Sequence, residues 1–115
     1  MFKVKGNEIT LVRGDTLLLQ VNIKEGDSDY TPQEGDVIRF ALKRAIMKKD
    51  QTDYLDEKPL VITTIPNDTL QLRLNPQDTA KLPFGKYHYD IEIKMSDGFV
   101  DTFLSGTFNL KPEVE

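Results

Sequence analysis

From Tyr87 the chain alternates, with Tyr87, Tyr89, Ile91, Ile93 and Met95 on one side and His88, Asp90, Glu92 and Lys94 on the other. That period of two predicts a half-buried strand. Ser96, Asp97 and Gly98 supply a turn, after which Val100, Thr102, Leu104, Gly106, Phe108 and Leu110 alternate again, so residues 82–110 contain a β-hairpin. Toward the N-terminus, Phe2 and Val4 alternate with Lys3 and Lys5, Gly6 and Asn7 interrupt, and Ile9 and Leu11 resume the pattern. This predicts a first strand with a kink. Arg13, Gly14 and Asp15 predict a turn into a second strand with Leu17, Leu19, Val21 and Ile23 on its inner face. Leu18 adds an apolar residue on the other face, which predicts a central position.

Residues 25–35 form a polar loop rich in Asp, Ser, Pro and Gly, followed by a third strand over 37–43 with Ile38, Phe40 and Leu42 inward and Arg39, Ala41 and Lys43 outward. Residues 44–58 mix Ile46, Met47, Tyr54 and Leu55 with charges of both signs and predict a long mobile connection with room for a short edge strand. The β-rich run 60–65, a turn at 66–68, and the alternating Leu70, Leu72 and Leu74 predict a second hairpin. Asn75 suits an N-cap and Pro76 the first helical position, so one helical turn precedes the last hairpin. Leu82-Pro83-x-Gly85-x-Tyr87 is similar to the tyrosine corner of immunoglobulin-like sandwiches, in which a Tyr hydroxyl bonds back to upstream backbone. The count of about seven short strands predicts an all-β fold, an immunoglobulin-like antiparallel β-sandwich.

At 115 residues the expectation is a single domain over 1–115, able to bury roughly two-thirds of its unfolded surface. Charged residues make up 30% and hydrophobic ones 38%, which places the chain among globular proteins rather than disordered ones. A net charge of −4 argues against a nucleic-acid role built on a broad basic surface. The absence of cysteine removes disulfides, thiolate metal sites and thiol catalysis together, and leaves any sandwich to be closed by packing. Lys3 and Lys5 break what would have to be an apolar leader, and no apolar run spans a membrane.

Titratable groups that could converge on a reaction are few. His88 is the sole histidine and lies on the outward side of its strand, where a solvated strand residue is the simpler reading than a catalytic base. Asp27 and Asp29, or Asp53, Asp56 and Glu57, could ligate calcium, but neither set has the EF-hand spacing and turn chemistry accounts for both. Arg13-Gly14-Asp15 spells an adhesion tripeptide and also makes an ordinary turn. Asn67-Asp68-Thr69 is a glycosylation sequon, more simply a hairpin turn. Arg39, Lys43, Arg44, Lys48 and Lys49 form a basic strip that serves either an acidic partner or solubility and edge protection. Phe99 and Phe103 have the opposite parity to the inward residues of the last strand, so without a bulge they emerge on its outer face. There either the 44–58 connection or the N-terminal strand covers them, or they form a protein interface. The candidate interface is therefore Phe99, Phe103, Arg39 and Lys43, with Tyr87, Leu82 and Gly85 as the structural corner. No catalytic, metal or cofactor residue is assigned, and no cofactor is expected.

Taken in order, several short motifs carry a resemblance. They are Arg13-Gly14-Asp15-Thr16 opening an apolar strand, Pro32-x-x-Gly35-Asp36 leading into Ile38-x-Phe40-x-Leu42-Lys43, and Leu74-x-Pro76-x-Asp78-Thr79. Leu82-Pro83-x-Gly85-x-Tyr87-x-Tyr89-Asp90-Ile91 follows, then Asp97-Gly98, Thr102 and Ser105-Gly106-x-Phe108-x-Leu110-x-Pro112-Glu113-Val114. Their succession resembles small bacteriophage and prophage tail proteins and the immunoglobulin-like N-terminal domain of phage baseplate upper proteins. That resemblance implies a non-enzymatic structural protein whose partners are other tail or baseplate subunits or further copies of itself, with no nucleic acid, membrane or small-molecule substrate. It implies synthesis in the bacterial cytoplasm and assembly into the virion. A small carbohydrate-binding module is the alternative, using exposed Tyr or Phe as stacking platforms, although tryptophan is absent.

Overall fold

The computed structural model describes residues 2–47, 53–55 and 58–112. The described elements are β1 (Phe2–Lys5), β2 (Glu8–Val12), β3 (Leu17–Gln20), β4 (Lys24–Glu25), β5 (Ser28–Asp29), β6 (Val37–Met47), β7 (Asp53–Leu55), β8 (Val61–Ile65), β9 (Gln71–Leu74), α1 (Pro76–Thr79), β10 (Gly85–Lys94) and β11 (Val100–Lys111). The fold is all-β, as the alternation requires. No helix among the described residues is long and apolar enough to cross a membrane.

One sheet dominates, with the order β1-β2-β11-β10-β6-β7 and β8 also paired to β6. At its centre, Tyr89, Ile91 and Ile93 of β10 stand opposite Leu42, Phe40 and Ile38 of β6. All six side chains are buried, because residues paired across a ladder share a face and period-2 alternation aligns every apolar position. A second, two-stranded sheet joins β3 to β9 with Leu17 opposite Leu74 and Leu19 opposite Leu72. Leu17, Leu72 and Leu74 belong to the same apolar cluster as Ile9, Leu11, Phe40, Tyr89 and Phe108, so both sheets contribute to one core.

Several expectations are corrected. The large sheet is mixed rather than antiparallel, because β2 runs parallel to the end of β11, with Phe108 opposite Ile9 and Lys111 opposite Val12. Gly6 and Asn7 do not kink one strand. They turn β1 back onto β2, with Lys5 opposite Glu8 and Gly6 at φ 60, a backbone region open to glycine. Residues 60–74 are not a hairpin either, since β8 pairs with β6 and β9 with β3. The turn between them closes through a Leu70 N–H to Pro66 carbonyl bond of 2.9 Å, with Leu70 at φ 53, and carries the chain from one sheet to the other. The second strand is not central: among the described residues it has β9 on one side only, and Leu18 is exposed.

Within the expected polar loop, β4 and β5 form a small hairpin with Lys24 opposite Asp29. Residues 44–47, expected in the mobile connection, instead continue β6, and the predicted edge strand exists as β7, paired to Ala45, Ile46 and Met47. The rest of the predicted mobile connection, 48–52 and 56–57, lies outside the described residues, as does Glu113-Val114. The helical turn forms where Asn75 and Pro76 place it, with the Asn75 N–H donating to the Asp78 carboxylate at 2.7 Å.

Candidate protein-interaction surface

The Tyr87 hydroxyl donates to the Pro83 carbonyl at 2.5 Å. The ring is buried and its phenol is pushed above the usual tyrosine range by desolvation, opposed by the nearby Arg44 charge. Leu82 packs against the core, and its N–H bonds to the Thr79 carbonyl at 3.0 Å. Gly85 holds φ 143 where β10 begins. These contacts fix how the last hairpin starts, and with it every outward residue of β10.

On the outward face, Arg39 stands opposite Glu92 and Ala41 opposite Asp90. Arg39 Nη2 meets Glu92 Oε1 at 3.1 Å, Lys43 Nζ meets Asp90 Oδ2 at 3.4 Å, and His88 Nε2 lies 4.0 Å from Asp90 Oδ1. With Pro59, Ile62 and Thr102 these charges line a groove of about 230 Å³. Arg39 and Lys43 thus share one face, while Arg44, opposite Tyr87, has the other parity, so the basic strip divides. Lys48 and Lys49 lie outside the described residues. Both cations of the groove are neutralised by cross-strand carboxylates, and pairs this accessible contribute about 0–1 kcal/mol each.

The two phenylalanines part company. Ile91 pairs with Leu104 while the next residue, Glu92, pairs with Thr102. Phe103 is therefore an inserted bulge residue that reverses the parity of everything before it. Phe103 is half-buried against the core, whereas Phe99 is 59% exposed. Thr102, expected inward, lines the outward groove. Asp101, opposite the buried Ile93, lies instead on the core-side face with Phe99, at the end of the sheet. The common outer face expected for Phe99 and Phe103 does not form.

Other sequence candidates resolve into local contacts. The Arg13 guanidinium lies 4.1 Å from the centroid of the Phe84 ring and donates to the Leu82 carbonyl at 3.3 Å, so the adhesion-like tripeptide leads into a packed cation–π contact. Asn67 donates from Nδ2 to the Asp36 carbonyl at 2.9 Å, committing the sequon amide to the fold. Asp29 is ion-paired with Lys24 at 2.5 Å. Asp53 contributes backbone to β7, while Asp56 and Glu57 lie outside the described residues. Among the described residues, no group of three or more His, Asp or Glu side chains is placed to hold a metal.

One constellation was not foreseen. Asp36 is buried and accepts from the Tyr30 hydroxyl at 2.6 Å and the Gln33 N–H at 2.8 Å. Those two bonds, with a third from Ser96 backbone, hold its carboxyl below the usual range. The Tyr30 phenol is pushed up to about 12, first by that hydrogen bond and then by burial and the nearby Asp36, Glu25 and Asp97 charges. Asp36 precedes the inward Ile38 by two residues, so its parity with the core was the available signal.

No family model matches the chain. No curated protein matches it, and no solved structure does.

Proposed function

We propose that the protein is a non-enzymatic structural and interaction subunit of a phage or prophage tail, of baseplate type, built as an immunoglobulin-like β-sandwich. The sandwich reading is supported by the core shared between the two sheets and by the Tyr87 to Pro83 bond at the corner. The tail reading rests on the succession of motifs from Arg13 to Val114.

The observation that carries an interaction role is the edge of β11. Among the described residues, β2 pairs with β11 only at Phe108, Asn109, Leu110 and Lys111, which leaves residues 100–105, apart from the bulged Phe103, with a ladder partner on the β10 side alone. Val100 at that edge is 51% exposed and Phe99 beside it 59%. An open edge flanked by apolar side chains favours docking by strand addition, and the bulge at Phe103 limits indiscriminate pairing. The carbohydrate alternative is weaker, since Phe84 is already stacked by Arg13 and both Tyr87 and Tyr89 are buried.

Mass spectrometry of purified particles induced from a host carrying the gene tests the assignment. The protein is expected in stoichiometric amount with tail subunits. Its absence from particles, together with retention on a polysaccharide matrix, would replace the proposal with the carbohydrate-binding reading.

A further inference from the structure

At the far end of β10 from the tyrosine corner, Ile23, Tyr30, Ile93, Met95 and Phe99 wall a cavity of about 180 Å³, with Glu25 and Asp101 also lining it. We propose that this cavity receives a basic side chain, arginine above all, presented by a partner protein. The inference builds on the interaction role and names the chemistry that the partner must carry.

Three features point to that occupant. The volume is sufficient for an alkyl stem, given that a dry apolar cavity of about 150 Å³ holds benzene. The charge is complementary: Lys24, the cation among the lining residues, is ion-paired with Asp29, and among the described residues the Glu25 and Asp101 carboxylates have no hydrogen-bond or ion-pair partner. Glu25 and Asp97 also stand near enough to Tyr30, a wall of the cavity, to help raise its phenol. The third feature is the aromatic at the mouth. Phe99 is exposed, yet its backbone is fixed, with its N–H bonded to Asp97 Oδ1 at 2.9 Å and its carbonyl to the Met95 N–H at 2.7 Å. An exposed ring carried on a fixed backbone beside unpaired carboxylates suits a guanidinium, which stacks on aromatic faces and is weakly hydrated. The chain makes the same contact within itself at the other end of β10, where Arg13 covers Phe84.

The test is a titration of the isotope-labelled full chain, followed by backbone amide shifts, with N-acetyl-arginine amide, N-acetyl-lysine amide and the uncharged N-acetyl-norleucine amide. The arginine probe is expected to produce saturable shifts at Tyr30, Met95, Phe99 and Asp101, with the lysine probe weaker. The norleucine probe should be weaker than the arginine probe by about tenfold or more. Glu25→Gln combined with Asp101→Asn, both exposed positions, should keep the spectrum of the folded chain and reduce arginine binding several-fold, and Phe99→Ala should weaken it further. Equal binding of the norleucine probe, shifts confined to other regions, or no saturable shift would each overturn the proposal. The titration is made on isolated protein, so its outcome is independent of whether the chain is found in particles.

Discussion

The hydroxyl of Tyr89, in the middle of β10, donates to the backbone carbonyl of Asn7 at 2.7 Å, tying the tip of the N-terminal hairpin to the centre of the sheet. Opposite Tyr89 stands Gly106, where an added Cβ would meet the Asn7 carbonyl oxygen at 2.1 Å and Asn7 Cβ at 2.9 Å. A missing side chain and a buried phenol thus seat one turn. Gly106→Ala is expected to displace the β1–β2 hairpin, because a backbone oxygen cannot yield as a flexible side chain would. Hydrogen exchange at Ile9 and Leu11 should accelerate well ahead of exchange at Phe40. Tyr89→Phe keeps the stack on Phe40, whose ring centroid lies 5.7 Å away, and should cost about 1 kcal/mol by the loss of one hydrogen bond. Unchanged protection of β2 in the Ala variant would show that the turn is not seated this way.

At the tyrosine corner, Tyr87→Phe removes only the bond to Pro83 and should cost about 1 kcal/mol. Tyr87→Ala also leaves a ring-sized cavity and should cost about 3–5 kcal/mol. Urea melts of both variants measure the difference. An Ala variant with the wild-type midpoint would remove the corner from the account of stability.

Phe99 and Phe103 should respond differently to the same substitution. Phe99→Ser, at an exposed position, is expected to change stability by no more than about 0.5 kcal/mol, while Phe103→Ser loses packing against the core and should lower the midpoint clearly. Thermal or denaturant unfolding decides it. Equal effects would contradict the bulge.

The Tyr30–Asp36 pair gives stability a dependence on pH at both extremes. The Asp36 carboxyl is held below its ordinary value, so its contribution is complete above the unfolded pKa and is lost as pH falls through the folded one. Tyr30 is raised from 10.0 to about 12, so its contribution is complete below pH 10 and is lost as pH rises toward 12. Asp36→Asn should flatten the acid limb of a stability–pH curve and reduce the alkaline loss, because the charge that raises Tyr30 is gone. An acid limb identical to wild type would assign the dependence to other carboxylates.

Alternation located β10 and the first seven residues of β6 well, because both runs are regular and each has one buried face, but it stopped short of residues 44–47, which continue β6. It failed where a single residue altered the count. Phe103 is an extra residue in β11, and nothing in its neighbours' polarity marks it, so the parity of Phe99 and Thr102 came out reversed. The pairing of residues 60–74 failed for another reason: strand character is local, whereas the choice of partner depends on the Pro66–Leu70 turn, whose positive φ falls on a leucine. The N-terminal hairpin was legible and was missed, since Gly-Asn between two alternating runs is a turn signal. The cavity beside Phe99 could have been read only in part. Met95 continues the inward series of β10, but Ile23, Tyr30 and Asp101 reach it from elements far apart in sequence.

The parallel pairing of β2 with the end of β11 bears on how the protein acquires its structure. Ile9 meets its partner Phe108 only after all of the intervening chain has been synthesised, so a nascent chain emerging from the ribosome carries an N-terminal hairpin with no sheet to join. Loops that long close at an entropic cost before their contacts offset it, which places folding of such topologies in the range of milliseconds to seconds. During that interval the apolar faces of β2 and β6 are exposed together. The same segment that completes the sheet therefore governs how long the unfinished chain is vulnerable to association with its neighbours.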